Sequence, residues 1–149
     1  MTHYPDTSFL CAIYREQVHS QEAVNFRAAM GEPICYTDLL EFEFLQSLCF
    51  QAWRFRRDDS QGFSASEADA MRTNWETDIA TGSNIHVPCD TGAITRLGKF
   101  LAQQYVVHSG HRPFDILHVA TALHLGMKNS SPSMPSSVIS PGTSVWKPL

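Results

Sequence analysis

Tyr4-Pro5-Asp6-Thr7-Ser8-Phe9-Leu10 holds two structural signals side by side. The run from His3 to Ile13 starts as a short strand and turns at Asp6-Thr7-Ser8, whose side-chain oxygens can cap the helix that follows or satisfy a tight turn. A strand running into a capped helix is the opening of an α/β unit, and ligands collect at the carboxyl ends of strands in open α/β sheets. Asp6 therefore stands where a carboxylate can meet a cation.

Two further acids interrupt apolar, structure-forming runs: Glu43 in Thr37-Asp38-Leu39-Leu40-Glu41-Phe42-Glu43-Phe44-Leu45, and Asp115 in Arg112-Pro113-Phe114-Asp115-Ile116-Leu117-His118. Carboxylates in such runs are costly unless paired, hydrogen-bonded or metal-bound, so three on separate elements suggest one shared cation site. Each also has a plain structural alternative: a helix cap for Asp6, a solvated face for Glu43, a complement to the helix dipole for Asp115. On the helix starting at Asp38, Glu41 and Glu43 lie about 200° apart, so only one can face a shared cleft. Glu43 shares its arc with Gln46, Ser47 and Arg54, whereas Glu41 is flanked by Phe44, Leu48 and Ala52, which makes Glu43 the candidate. Val119 and Ala122 share the face of Asp115 and leave room for an approaching group. His118 reads as a core or supporting histidine, and His108 and His111, flanking Gly110, match no common zinc spacing.

Outward from these runs, helices are expected over Ser20 to Met30, Asp38 to Arg57, Ser64 to about Thr81, Asp90 to about Val107, and Pro113 to Gly126. Short strands are expected near residues 34 to 36 and 85 to 87, parallel to the first, giving an α/β sandwich. With 149 residues, 43% hydrophobic and 17% charged, the chain fits one domain. No apolar stretch reaches membrane-spanning length, and Met1-Thr2-His3-Tyr4 lacks the layout of a secretion signal, so a cytoplasmic protein with no membrane partner is expected. Cys11, Cys35, Cys49 and Cys89 are widely spaced and read as free, mostly buried thiols. The net charge of −4 argues against bulk electrostatic capture of nucleic acid but leaves room for a local basic strip or a metal-bridged phosphate. Trp53-Arg54-Phe55-Arg56-Arg57 is such a strip, suited to RNA backbone or base stacking and equally to a cationic helix end.

Taken together, the Asp6-Thr7-Ser8 opening, Glu43, and Arg112-Pro113-Phe114-Asp115-Ile116-Leu117-His118-Val119-Ala120-Thr121-Ala122 resemble the PIN-domain ribonucleases, in particular the VapC-type toxins of toxin-antitoxin pairs. The likeness runs from residue 1 to about Lys128. It implies a Rossmann-like α/β/α sandwich with a parallel sheet, Mg²⁺ or Mn²⁺ held by clustered carboxylates, and endonucleolytic hydrolysis of RNA. It also implies a cognate antitoxin protein and a homodimer as partners. Asp6, Glu43 and Asp115 fall on the family's acids, as metal ligands and catalytic groups, with Thr7 or Ser8 orienting one of them. Arg112 and Arg54 are then the cations expected to meet the substrate. A small-molecule phosphohydrolase on a similar sandwich would need a Gly-rich phosphate loop, which the chain lacks.

The last segment departs from that pattern. Residues 129 to 149 hold seven serines and four of the eight prolines, a composition that cannot hold a regular element, and are expected to form an irregular tail after a domain spanning residues 1 to 128. The family carries a fourth acid here, on a strand reading roughly Phe-x-Ser-Phe-Asp and followed by Gln-Arg. Read from the third base of each codon, the serines and prolines from Ser130 to Val138 can encode that strand, with Met134-Pro135 forced to Ala. A frameshift near Lys128 accounts for the match; it would remove the last strands and one metal ligand and leave the first strand's edge unpaired. The alternative function is then an inactive remnant acting as an antitoxin-binding or dimerisation module.

Overall fold

The computed structural model describes residues 3–15, 20–106 and 110–129. Its elements run β1 (His3–Tyr4), α1 (Thr7–Tyr14), α2 (Ser20–Met30), β2 (Ile34–Tyr36), α3 (Asp38–Arg57), α4 (Ala65–Ala80), β3 (Asn84–His86), α5 (Thr91–Leu101), α6 (Pro113–His124) and β4 (Lys128–Asn129), with a π-helical turn, Ala102–Val106, extending α5. This is a mixed helix and strand fold in which every strand pair is parallel: His3 opposes Lys128 and Tyr4 opposes Asn129, while Ile34, Cys35 and Tyr36 oppose Asn84, Ile85 and His86.

Helix starts follow the side chains that precede them. Asp6, Thr37, Ser64 and Asp90 each sit at an N-cap with extended backbone, and each accepts from an amide of the first turn, satisfying one of the donors a helix leaves orphaned. The larger core gathers around Trp75 of α4, whose ring lies 4.9 Å from Tyr36, 5.3 Å from Phe44 and 5.8 Å from Tyr14. Leu10, Leu40 and Met71 fill the space between these rings. A smaller core joins α5 to α6 through Ile94, Leu101, Ile116, Val119 and Ala120. Gly98 lets the two helices approach, because a Cβ there would stand 3.2 Å from Leu117 Cδ2.

Several expectations need correction. The first strand's edge is not left bare: β4 pairs with it through Asn129, so the regular structure runs one residue past the expected boundary at 128, and the remaining tail, 130–149, lies outside the described residues. The third strand starts at Asn84, one residue early, because the buried side chain is Asn84 and not Ile85, which is exposed. The helix opened by Asp90 continues past Leu101 as a π-helical turn to Val106, and its expected end near Val107 lies outside the described residues. The thiols are free but not mostly buried: only Cys35 is, and Cys49 on α3 is exposed. Val119 and Ala122 do not make the room beside Asp115, since both are packed into the cores and neither lines the cleft. Among the described residues no helix is long and apolar enough to cross a membrane.

Candidate active site

An open cleft of about 700 Å³ lies between α1, α3, the Gly62-Phe63 loop and the start of α6. Asp6, Glu43 and Asp115 all line it, as do Thr7, Ser8 and Arg112. Asp6 reaches it as the N-cap of α1: Oδ1 accepts from the Phe9 amide at 2.8 Å, and the residue is only 9% exposed. Glu43 reaches it from the second turn of α3, where Oε2 accepts hydrogen bonds from Thr7 Oγ1 and His118 Nε2. Asp115 reaches it from the first turn of α6, where Oδ2 accepts from the Arg112 amide at 3.2 Å. Each carboxylate thus has one oxygen tied to the protein, and among the described residues the other makes no hydrogen bond. The structural alternatives for Asp6 and Asp115 are met at the same time, since both also stabilise helix starts.

Glu43 is the best supported of the three. Burial pushes its carboxyl up, but the hydrogen bonds from His118 and Thr7 outweigh that and hold it below its ordinary value. The carboxylate accepts only, so His118 carries its proton on Nε2 toward Glu43. The other imidazole nitrogen, Nδ1, lies 3.4 Å from Tyr4 Oη, which in turn is 2.9 Å from Thr37 Oγ1. Burial pushes the Tyr4 phenol up to about 12, so it stays neutral and continues this chain. The chain runs from the cleft through α6 and β1 to the cap of α3, the helix that carries Glu43. Glu41, two residues away, faces the other side and accepts from Trp75 Nε1 at 3.2 Å.

Thr7 grips Glu43, while Ser8 stands exposed at the rim. Arg54 is not brought to the cleft: Nη2 donates to Gln61 Oε1 at 2.8 Å, because the helix has carried it beyond the rim by that turn. Arg15 lines the cleft instead, its Nε donating to Glu67 at 2.8 Å and its guanidinium 4.5 Å above the Phe63 ring. Sequence reasoning passed it over, although Ser8, Cys11 and Arg15 repeat at helical spacing after the Asp6 cap. Cys11 offers no nucleophile at neutral pH, since burial pushes its thiol above its ordinary value. Gly62 shapes the far wall with a φ of +70°; a Cβ there would clash with the backbone oxygen of Gln51.

The donor set suits a hard divalent cation: three carboxylates, each with an oxygen uncommitted among the described residues, one of them almost wholly withdrawn from solvent. Among the described residues no three His, Cys, Asp or Glu side chains are arranged to hold one ion directly. Mg²⁺ commonly takes one or two protein carboxylates and keeps its remaining positions filled with water, and a cleft this open leaves space for that.

No family model matches the chain, and no curated protein matches it.

Proposed function

We propose that the chain is a metal-dependent RNA endonuclease with a PIN-like α/β/α sandwich, the toxin of a toxin-antitoxin pair. One observation carries the reading: Asp6, Glu43 and Asp115, from three separate elements, line a single open cleft, each with one oxygen unbonded among the described residues. Asp6, Glu43 and Asp115 would hold Mg²⁺ or Mn²⁺ together with water. When bound, such an ion would lower the pKa of a water and offset the charge of the scissile phosphate. The protein's own part is positional. Phe9 N fixes the Asp6 carboxylate, Thr7 and His118 fix that of Glu43 and keep it ionised, and Arg112 at the rim offers a cation for a flanking phosphate. No side-chain nucleophile is required.

The Ser/Pro-rich segment standing where the resemblance places a fourth acid favours a second reading, a remnant that binds its antitoxin without cutting RNA. One experiment separates the two. The purified chain is incubated with single-stranded RNA across a Mn²⁺ and Mg²⁺ series and with EDTA. The nuclease reading expects cleavage that needs metal and vanishes in EDTA. Cleavage surviving EDTA ends the metal mechanism, and no cleavage at any metal concentration leaves the binding module. Reading the gene in the neighbouring frame tests the shift near Lys128: a frame lacking Phe-Asp-Ala followed by Gln-Arg rules it out.

A further inference from the structure

The cleft is larger than an ion needs. A water's share of liquid volume is about 30 Å³, so a cation with its waters fills a small part of about 700 Å³. Two helices carry the lining away from the carboxylates: Glu43, Ser47 and Gln51 recur every four residues along α3, and Ser8, Cys11 and Arg15 follow at steps of three and four along α1 and its C-cap. At 1.5 Å per residue, Gln51 lies about 12 Å along the axis from Glu43. There the lining changes character. The Arg15 guanidinium stands 4.5 Å above the Phe63 ring, while Nε donates to Glu67 Oε1 at 2.8 Å and Nη2 to Gly62 O at 3.5 Å. Glu67 is itself fixed in the first turn of α4, where its amide donates to Ser64 Oγ. Arg15 is thus held in place before any ligand arrives. Gln51 adjoins the same Gly62, its Oε1 3.2 Å from where a Cβ would stand, and among the described residues its side-chain amide makes no hydrogen bond.

We propose, resting on the RNA reading of the cleft, that this end seats one unpaired nucleobase, adenine foremost, stacked on the Arg15 guanidinium and read along its edge by the Gln51 amide. A phosphate does not fit here, because Glu67 already offsets the charge of Arg15 and its carboxylate would repel a second anion. A base carries no charge and need not displace Glu67. It needs a flat surface and a hydrogen-bonding partner, and unstacked RNA bases are held on guanidinium planes as well as on aromatic rings. Gln51 offers a donor and an acceptor side by side, the pair that matches the acceptor and donor on the edge of adenine. The two arginines of the cleft then divide the work. Arg112, at the rim beside Asp115, is left for phosphate, and Arg15, at the far end, takes a base of a nucleotide flanking the cut bond and so selects where the strand is cut.

Fluorescence anisotropy with labelled RNA octamers tests this on the full chain: all-uridine, and uridine with a central adenine or a central guanine. Binding is read in EDTA and in Ca²⁺, with electrophoresis to check that the RNA stays intact and far-ultraviolet circular dichroism to check the fold. The central adenine should tighten binding at least about 10-fold over all-uridine and about 5-fold over guanine. Arg15→Lys keeps the charge and the reach to Glu67 but loses the plane, so the preference for adenine over uridine should shrink to within about 2-fold. Gln51→Leu should keep the preference for a purine but bring adenine and guanine within about 2-fold of each other. Equal affinity for all three octamers overturns the proposal, as does a preference that survives Arg15→Lys. So does an Arg15→Ala loss that all octamers share and lysine repairs, the mark of a phosphate contact. No binding of any octamer overturns it together with the RNA reading and leaves the cleft to a protein partner. Adenine selection without cleavage in Mg²⁺ or Mn²⁺ supports the subsite and removes only the nuclease step.

Discussion

The ends of β1 and β2 are built alike and used differently. Each parallel strand runs into a residue that caps the next helix: Asp6 after Tyr4-Pro5 caps α1, and Thr37 after Tyr36 caps α3. At the first end the cap is charged and lines an open cleft; at the second it is a neutral hydroxyl, wholly buried and bonded to Tyr4 Oη. A buried hydroxyl with a partner costs little, whereas a buried charge without one costs a great deal. The strand end that keeps a carboxylate is therefore the one proposed to hold a ligand, while the same carboxylate also caps α1, and the other end serves the fold.

The sharpest way to break that contrast is to change the charge at Asp6 and nothing else. Asn caps a helix as well as Asp does, so Asp6→Asn should leave stability within about 0.5 kcal/mol of wild type. On the proposed function RNA cleavage should fall by at least about 100-fold, because the proposed metal ligand has lost its charge. Equal loss of stability and cleavage, measured by urea unfolding beside a fluorogenic RNA assay, would make Asp6 a structural cap only.

Thr37→Val is the mirror experiment. It removes the α3 cap and a partner of Tyr4 Oη, so unfolding free energy should drop by about 2–3 kcal/mol. The fraction that remains folded should cut RNA at close to the wild-type rate. Urea titration and assay at low temperature distinguish this from a catalytic defect.

His118 links the two ends, since it touches both Glu43 and Tyr4. His118→Leu strips a donor from Glu43 and should cost about 1–3 kcal/mol. His118→Gln, whose amide can still donate to the carboxylate, should recover part of the stability and cleavage that Leu loses. Matching losses in both variants would mean that packing, not the hydrogen bond, is what His118 supplies.

Tyr4 gives the contrast a pH signature. Its folded value of about 12 lies above the ordinary phenol value, so the neutral form stabilises the fold. That contribution is complete below about pH 10 and is lost as pH rises from 10 through about 12, because the unfolded chain gives up the proton first. Tyr14, raised for the same chief reason, burial, adds in the same direction. Urea midpoints should therefore fall steadily above pH 10, and less steeply in Tyr4→Phe; equal slopes would detach Tyr4 from the effect.

The smallest effect belongs to the exposed pair of Asp38 and His86 past the end of β2. An ion pair in water contributes little, so His86→Ala should change stability by less than about 0.5 kcal/mol. A larger loss would mean that the second strand end holds more than the burial pattern suggests.

By itself the sequence determined what depends on near neighbours along the chain. The Asp6, Ser64 and Asp90 caps, the length of α3 and the separation of Glu41 from Glu43 follow from helical spacing and from side chains that satisfy amides three residues on. The three acids could be nominated for the same reason: each breaks an apolar run. What spacing cannot encode is which side chains meet across the fold. That His118 and Thr7 converge on one oxygen of Glu43, that Tyr4 and Thr37 stand behind them, and that Arg15 rather than Arg54 reaches the cleft all depend on how α1, α3 and α6 pack. The two apolar faces of α3 were equally present in the sequence. Only packing could decide which to bury, because the cores had room for one and left Phe42 and Trp53 in water.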